Sequence, residues 1–229
     1  MQVKEIIKKA GKMRYMLESV YSFNSSFSLT ARQKISLAKI IEAITIIDRK
    51  FFVSYSYYDD NALAIGYGQT ISQPSTVTRM LLLADLRERQ EVLEIGAGSG
   101  WNAALIAYLV KPGKVLSTDR VEMLVEQAKI NVKKLPFELG LDFVACDALY
   151  KGSEVWQRKY DRIIITAGIP HDSIEKRIEE MAFSLLKEEG LLICPYTSGP
   201  LLVYKKNKKL EKLYTKEQYV FVPLLEGTE

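Results

Sequence analysis

The chain has 229 residues, 48% hydrophobic and 26% charged, with a formal net charge of +4. That balance suits one sizeable globular unit and excludes disordered, collagen-like and low-complexity architectures, while the small, dispersed basic excess is far from the signature of a nucleic-acid binder. One histidine, His171, and two cysteines, Cys146 and Cys194, exclude a Cys/His zinc site, a multi-disulfide scaffold and most Ser-His or Cys-His nucleophile schemes.

The first 50 residues read as helix. Val3, Ile6, Ile7, Ala10, Met13, Leu17 and Val20 recur at helical spacing. After the polar stretch SFNSSFSLT, Thr30 is placed to cap a second helix carrying Ile35, Ala38, Ile41 and Ile44, which residues 48–50 end. The most apolar run, 35–47, is interrupted by Lys39 and Glu42 and is short of the roughly 20 residues that cross a bilayer. The opening MQVKEIIKKAGK lacks the apolar centre of a signal peptide, and with two unpaired cysteines the expected location is the cytoplasm. Residues 51–58 are aromatic, and 61–78 carry no charge but are rich in Gly, Gln, Ser and Thr, which predicts a packed loop closing over something.

From residue 81 short aliphatic runs alternate with helical stretches. Strands are expected at 91–95, 114–118, 142–145, 162–166, 191–194, 201–205 and 219–222, with helices at 101–110, 121–134, 149–157 and 173–187. This alternation predicts an α/β fold, a doubly wound, mostly parallel seven-stranded sheet whose last two strands form an antiparallel hairpin. The expected organisation is a helical segment at 1–50, a covering loop region at 51–85 and a core at 86–229, all in one compact unit.

Residues 92–100, VLEIGAGSG, place a buried strand before Gly96, Gly98 and Gly100 and a helix from Trp101. Glycines there let the backbone turn tightly against a ligand, and the helix N-terminus favours polar or anionic groups. The pattern is G-x-G-x-G, unlike the dinucleotide G-x-G-x-x-G, and Glu94 would repel a pyrophosphate but suit a cationic amino-acid portion. About 20 residues on, Asp119 ends the second strand, where a carboxylate can bind ribose hydroxyls, and Asp147 closes the third, where one can accept from an adenine amino group. Singly each also reads as a solvated strand-end carboxylate. Together they mark the edge where open α/β sheets bind ligands.

VLEIGAGSG with Asp119 and Asp147 resembles the S-adenosylmethionine site of Rossmann-like methyltransferases. YYDDNALAIGYGQTISQPS, residues 57–75, resembles the substrate loop of protein-L-isoaspartate O-methyltransferases, and RKFFV, YDRIIITAG, EEGLLICP and YVFVPL fall in that family's order. The resemblance runs from about residue 36 onward. It implies S-adenosylmethionine held by Gln69, Thr70, Ile71, Glu94, Gly96, Ala97, Gly98, Asp119, Arg120, Asp147 and Ala148, with no metal. It assigns Ser72 to orienting the isoaspartyl carboxylate, and it implies isoaspartyl proteins and peptides as partners, without nucleic acid or membrane, for a monomer. The poor acid-base inventory fits: a carboxylate is already a nucleophile and a sulfonium methyl already an electrophile, so alignment and desolvation suffice. The ester then closes to a succinimide unaided.

The family pattern is departed from at three places. Ser75 and Thr76 follow Pro74 where His or Tyr and then Met are common, which alters part of the expected cofactor or peptide lining. Ala148 replaces a glycine and Asp119 a glutamate. Two other readings stay open, a methyltransferase for another peptide carboxylate or RNA, and a non-catalytic cofactor-binding module; TAGIP after the fourth strand lacks the Asn/Asp-Pro-Pro-aromatic motif for nucleobase amines. His171 reads as a loop residue ahead of a helix capped by Asp172 or Ser173. Lys205, Lys206, Lys208, Lys209 and Lys212 read as a solvated hairpin turn, the two cysteines as small core residues, and Trp101 as packing beside the cofactor. The role of residues 1–35 is not legible.

Overall fold

The computed structural model describes residues 3–229. The first helical stretch is two helices, α1 (Val3–Lys9) and α2 (Arg14–Ser25), separated by a 3-10 turn that starts at Gly11 in the left-handed region (φ +56°). Hydrophobic spacing survives this break because both helices keep their apolar stripe on the same core: Ile6, Ile7, Met16, Leu17 and Val20 are all buried. Helix α3 (Ala31–Ile46) begins where Thr30 requires it, with a capping box in which Thr30 and Gln33 each satisfy the other's backbone N–H.

Residues 61–78 are not a loop. They form a hairpin, β1 (Leu63–Gly66) with β2 (Gln69–Ile71), and then enter α4 (Pro74–Ala84). Pro74 supplies the pre-set φ of a first helical turn. Within α4 the missing charge reflects burial: Ser75, Thr76 and Thr78 are inside, and Asp60 accepts from the Ser75 N–H at 2.8 Å and from its hydroxyl, a cap delivered from 15 positions upstream.

The remaining elements are β3 (Glu91–Ile95), α5 (Trp101–Val110), β4 (Lys114–Asp119), α6 (Glu122–Val132), β5 (Leu141–Ala145), β6 (Tyr160–Ile165), α7 (Asp172–Leu185), β7 (Leu186–Pro195), β8 (Ser198–Gly199), β9 (Leu201–Lys206), β10 (Leu210–Tyr214) and β11 (Tyr219–Val220). Seven strands build the main sheet in the order β10-β9-β7-β6-β3-β4-β5; β9 runs antiparallel to both neighbours and the other pairings are parallel. The chain winds outward from β3 to β5, then returns to β6 and winds the other way, so the switch point lies at the carboxyl ends of β3 and β6. Successive side chains of β6 go to opposite faces, Ile163 and Ile165 to the α7 side and Ile164 to the side covered by α3, α4 and α5.

Four expectations are corrected. The terminal hairpin is β9–β10: Lys208 and Lys209 lie in its exposed turn, while Lys205 and Lys206 end β9 and Lys212 lies on the edge strand β10, where charged side chains reach water. Tyr219–Val220 leaves the sheet to pair with β8, and the following residues cross the switch-point edge, Gly168 donating to Val222 O and accepting from Leu224 N, both at 2.7 Å. The helix expected at 149–157 is a turn followed by a 3-10 helix at Glu154–Gln157. His171 occupies the N-cap of α7 without a side-chain cap; its Nδ1 is hydrogen-bonded to Ser173 Oγ at 2.7 Å instead. No helix among the described residues is long and apolar enough to cross a membrane.

Candidate active site

The glycine turn after β3 is shaped by a close approach. A Cβ on Gly96 would lie 2.3 Å from Thr166 Oγ1, at a φ of +100° that side chains avoid, and one on Gly100 would press on Ala128 at 3.0 Å. Thr166, just beyond β6, donates to Gly96 O at 2.7 Å, while Gly96 N and Ala97 N donate to Thr118 O. Strand ends and turn are thereby locked around an opening made of two hollows. The first is lined by Gln69, Thr70, Ile71 and Ser72 from the hairpin side, by Gly96, Ala97, Gly98 and Asn102, and by Val77, Met80, Trp101, Thr166 and Val222. The second is lined by Arg120, Cys146, Asp147, Ala148, Leu149 and Leu224, and both share Gln69, Gly96 and Asp119.

Asp119 stands at the junction, nearly buried. Its Oδ2 accepts from Gly98 N at 2.9 Å and its Oδ1 from Val121 N at 3.1 Å, so the carboxylate is held in place before any ligand arrives. Asp147 accepts from Leu149 N and Gly227 N, and Arg120 donates to Gly227 O at 3.0 Å and to Glu229 at 2.6 Å. The ends of β4 and β5 therefore hold residues 227–229 beside the second hollow. The Ala148 carbonyl accepts from Trp156 Nε1 at 2.9 Å.

Glu94 lines neither hollow, against the expectation of a direct ligand contact. Two positions before Gly96 on a strand, it points to the α5 face with Val92, and it is fully buried beneath the turn. Asn102 Nδ2 donates to its Oε1 at 2.7 Å and Ser117 Oγ to its Oε2 at 2.5 Å. Burial pushes the carboxyl up to about 8, against the pull of those two hydrogen bonds. Its link to the opening is Asn102, whose Oδ1 is buried without a partner while the residue lines the first hollow.

Ser72 follows β2 and faces the first hollow. Behind it lies Arg49, fully buried, which donates to Ser72 O at 3.2 Å and stacks over the ring of Trp101 at 5.3 Å. Trp101 donates in turn to Ile47 O at 3.0 Å. Ser75 and Thr76 do not line the opening: Ser75 faces α2, where Asn24 Nδ2 donates to its carbonyl at 3.1 Å. The Ser75 hydroxyl itself donates to Asp60, which also accepts from Ser19 of α2. Cys194 is in the core, but Cys146 is half-buried against the second hollow, its thiol pushed up to about 11 by burial. His171 is exposed and lines neither hollow.

Arg49, Asn102, Thr166 and Val222 were not singled out from sequence. Thr166 could have been found, since it follows the strand next to the glycine turn. Asn102 and Arg49 needed the fold. The polar lining suits an elongated ligand with a cationic amino-acid end and a nucleoside end: an unpartnered amide oxygen and a glycine turn on one side of Asp119, the Asp147 carboxyl group and an apolar wall on the other.

A family model described as protein-L-isoaspartate(D-aspartate) O-methyltransferase matches residues 27–229. A protein-L-isoaspartate O-methyltransferase of Thermosipho melanesiensis is 36% identical over 196 residues, covering 81% of this chain and 93% of that protein. One of Pyrococcus horikoshii is 39% identical over 208 residues, covering 86% and 89%. Among solved structures, a candidate protein-L-isoaspartate O-methyltransferase of Plasmodium falciparum in complex with S-adenosyl-L-homocysteine shares the fold at TM-score 0.76 and 20% identity, covering 92% of this chain and 97% of that one. A second protein-L-isoaspartate O-methyltransferase superposes at TM-score 0.71 with 27% identity, covering 90% of this chain and 65% of that one.

Proposed function

Since the chain belongs to the protein-L-isoaspartate(D-aspartate) O-methyltransferase family, and is an S-adenosylmethionine-dependent enzyme that esterifies L-isoaspartyl carboxyls in protein repair, we propose that Ser72 orients the acceptor carboxylate in the first hollow. One observation carries this reading: the hairpin, which lies outside the sheet, brings Ser72 into the same hollow as the glycine turn and Asp119.

When bound, S-adenosylmethionine supplies an electrophilic methyl group on sulfonium. Asp119 would hold the ribose hydroxyls, Asp147 and Ala148 the adenine side, and the Asn102 amide oxygen the ammonium, with Glu94, which accepts from Asn102 Nδ2, fixing the orientation of that amide. The Ser72 hydroxyl donates to one oxygen of the acceptor and leaves the other free to attack. Among the described residues lining the first hollow none is Lys or Arg, so the acceptor is held by neutral donors and its nucleophilicity is not quenched by an ion pair. Ile71, Val77, Met80, Trp101 and Val222 supply an apolar wall that excludes water from the attacking oxygen. The division of labour follows the chain: 1–50 as support, 51–85 as the acceptor side and 86–229 as the cofactor side. The protein works as a cytoplasmic monomer on isoaspartyl proteins and peptides.

The test pairs an isoaspartyl peptide with its aspartyl twin and follows labelled methyl. Transfer to the first alone is expected; transfer to neither, or to RNA in place of peptide, overturns the reading. Within the same assay Ser72→Ala is expected to lower kcat by about tenfold to a hundredfold with little change in cofactor affinity. Asp119→Ala is expected to weaken cofactor binding first, by about 1.5–3 kcal/mol for a lost hydrogen bond to a charged group. Equal loss of binding in both variants would contradict this assignment of roles.

A further inference from the structure

Arg49 is a cation in a costly place. Its guanidinium is fully buried, its acceptors are all backbone carbonyls, and burial lowers its pKa to about 10, with Asp60 and Asp59 acting on it only through space. Packing alone would be served better by an apolar side chain of the same volume. The guanidinium is retained where a planar fork is needed. Nη1 donates to Tyr57 O at 3.4 Å and Asp59 O at 3.0 Å; Nη2 donates to Asn61 O at 2.8 Å and Ser72 O at 3.2 Å.

Those acceptors belong to two segments. Residues 57–61 lie in no helix or strand and lead into the hairpin, while Ser72 lies at its exit. The group that joins them also covers the ring of Trp101, which lines the same hollow as Ser72. A single side chain therefore touches the entrance to the hairpin, its exit and the far wall of the opening. Lysine, a point charge with no planar fork, cannot span the four carbonyls.

We propose that Arg49 is a positioning residue for methyl transfer, setting the Ser72 backbone and the 57–61 segment at a fixed distance from the Trp101 wall; the proposal rests on the reaction assigned above. The same chain contains a matched comparison. Arg162 is also buried and also donates to backbone carbonyls, those of Ala84, Asp85, Asp161 and Glu189, but it lies at the amino end of β6, away from the opening. Arg162, which lines neither hollow, is the control for a buried arginine remote from the opening.

The experiment compares the full-length wild type, Arg49→Lys and Arg162→Lys. Calorimetric titration with S-adenosylhomocysteine gives affinity and the fraction of competent molecules, steady-state kinetics on the isoaspartyl peptide gives kcat and KM, and hydrogen exchange reports on residues 57–72 and 96–100. For Arg49→Lys, kcat per competent molecule is expected to fall by about a hundredfold, the cost of a misplacement near 1 Å. Its cofactor affinity is expected to stay within about twofold, and exchange to rise at 57–72 but not at 96–100. Arg162→Lys is expected to lower the thermal midpoint with kcat per competent molecule unchanged. The proposal is overturned by wild-type kcat in competent Arg49→Lys molecules, by parallel loss of cofactor affinity, or by identical behaviour of the two lysine variants. If Arg49→Lys does not fold, Arg49→Met, which leaves no buried charge, carries the same expectations. Should the wild type leave the isoaspartyl peptide unmodified, the functional reading fails, and unchanged exchange at 57–72 in the Arg49 variant separately overturns the positioning role.

Discussion

A carboxyl sealed under the glycine turn gives this protein a built-in pH dependence. The Glu94 group is raised from 4.5 to about 8, so the folded state binds its proton more tightly than the unfolded chain does. Its contribution to stability is complete below about 4.5 and is lost as pH rises through about 8, at no more than about 1.4 kcal/mol per pH unit. Glu94→Gln keeps the shape and the two hydrogen-bonding neighbours but cannot ionise. The thermal midpoint of the wild type is therefore expected to fall relative to that of Glu94→Gln between pH 5 and about 8, where the carboxyl titrates. Parallel midpoints across that window would show that Glu94 is ionised throughout. Residue identity alone suggested an acidic group facing a ligand cation, whereas position on β3 turns the side chain toward α5, and it is Asn102, hydrogen-bonded to Glu94, that lines the hollow.

Elements carry the next layer of specificity, most plainly where α2, the 57–61 segment and the start of α4 meet. Asp60 accepts from Ser19 Oγ at 2.7 Å and from Ser75, and Asn24 reaches the Ser75 carbonyl, so the N-terminal helices help to hold the start of α4 beside the hairpin. At 1% exposure Ser75 has no room for an aromatic ring. Ser75→Tyr, which puts an aromatic ring where the serine sits, is expected to cost about 1–3 kcal/mol through overpacking and to lower the thermal midpoint without raising kcat. A midpoint equal to wild type would mean that α2 yields at this contact. The small residue was visible in the sequence as a departure from pattern. Its surroundings were not, because the Asp60 that its hydroxyl meets is 15 positions upstream, and Asn24, which reaches its carbonyl, is 51 positions away and joined to it only by the packing of α2 on α4. In the β9–β10 hairpin the reading of a solvated turn holds for Lys208 and Lys209, whereas Lys212 belongs to the edge strand, since charges and strand are compatible where one side faces water.

Across the whole molecule, Ile6, Leu17 and Ile41 of the N-terminal helices share one hydrophobic cluster with Leu105 of α5 and with Ile164 and Val203 of the sheet. Pulling the first three helices away would expose the core of the cofactor half, so unfolding is expected as a single calorimetric transition with matching calorimetric and van't Hoff enthalpies. Two resolved transitions would make the N-terminal helices an independent unit. Sequence by itself determined the α/β class, most strand positions, the glycine turn, and Asp119 and Asp147 at strand ends, because aliphatic runs, helical spacing and glycine requirements are local properties of the chain. Tertiary structure alone decided the inward turn of Glu94, the hairpin within 61–78, and the clasp of Arg49 on Tyr57, Asp59, Asn61 and Ser72. Each of these depends on which buried donor meets which carbonyl or carboxyl, a pairing that no periodicity encodes and that exists only once distant segments are packed together.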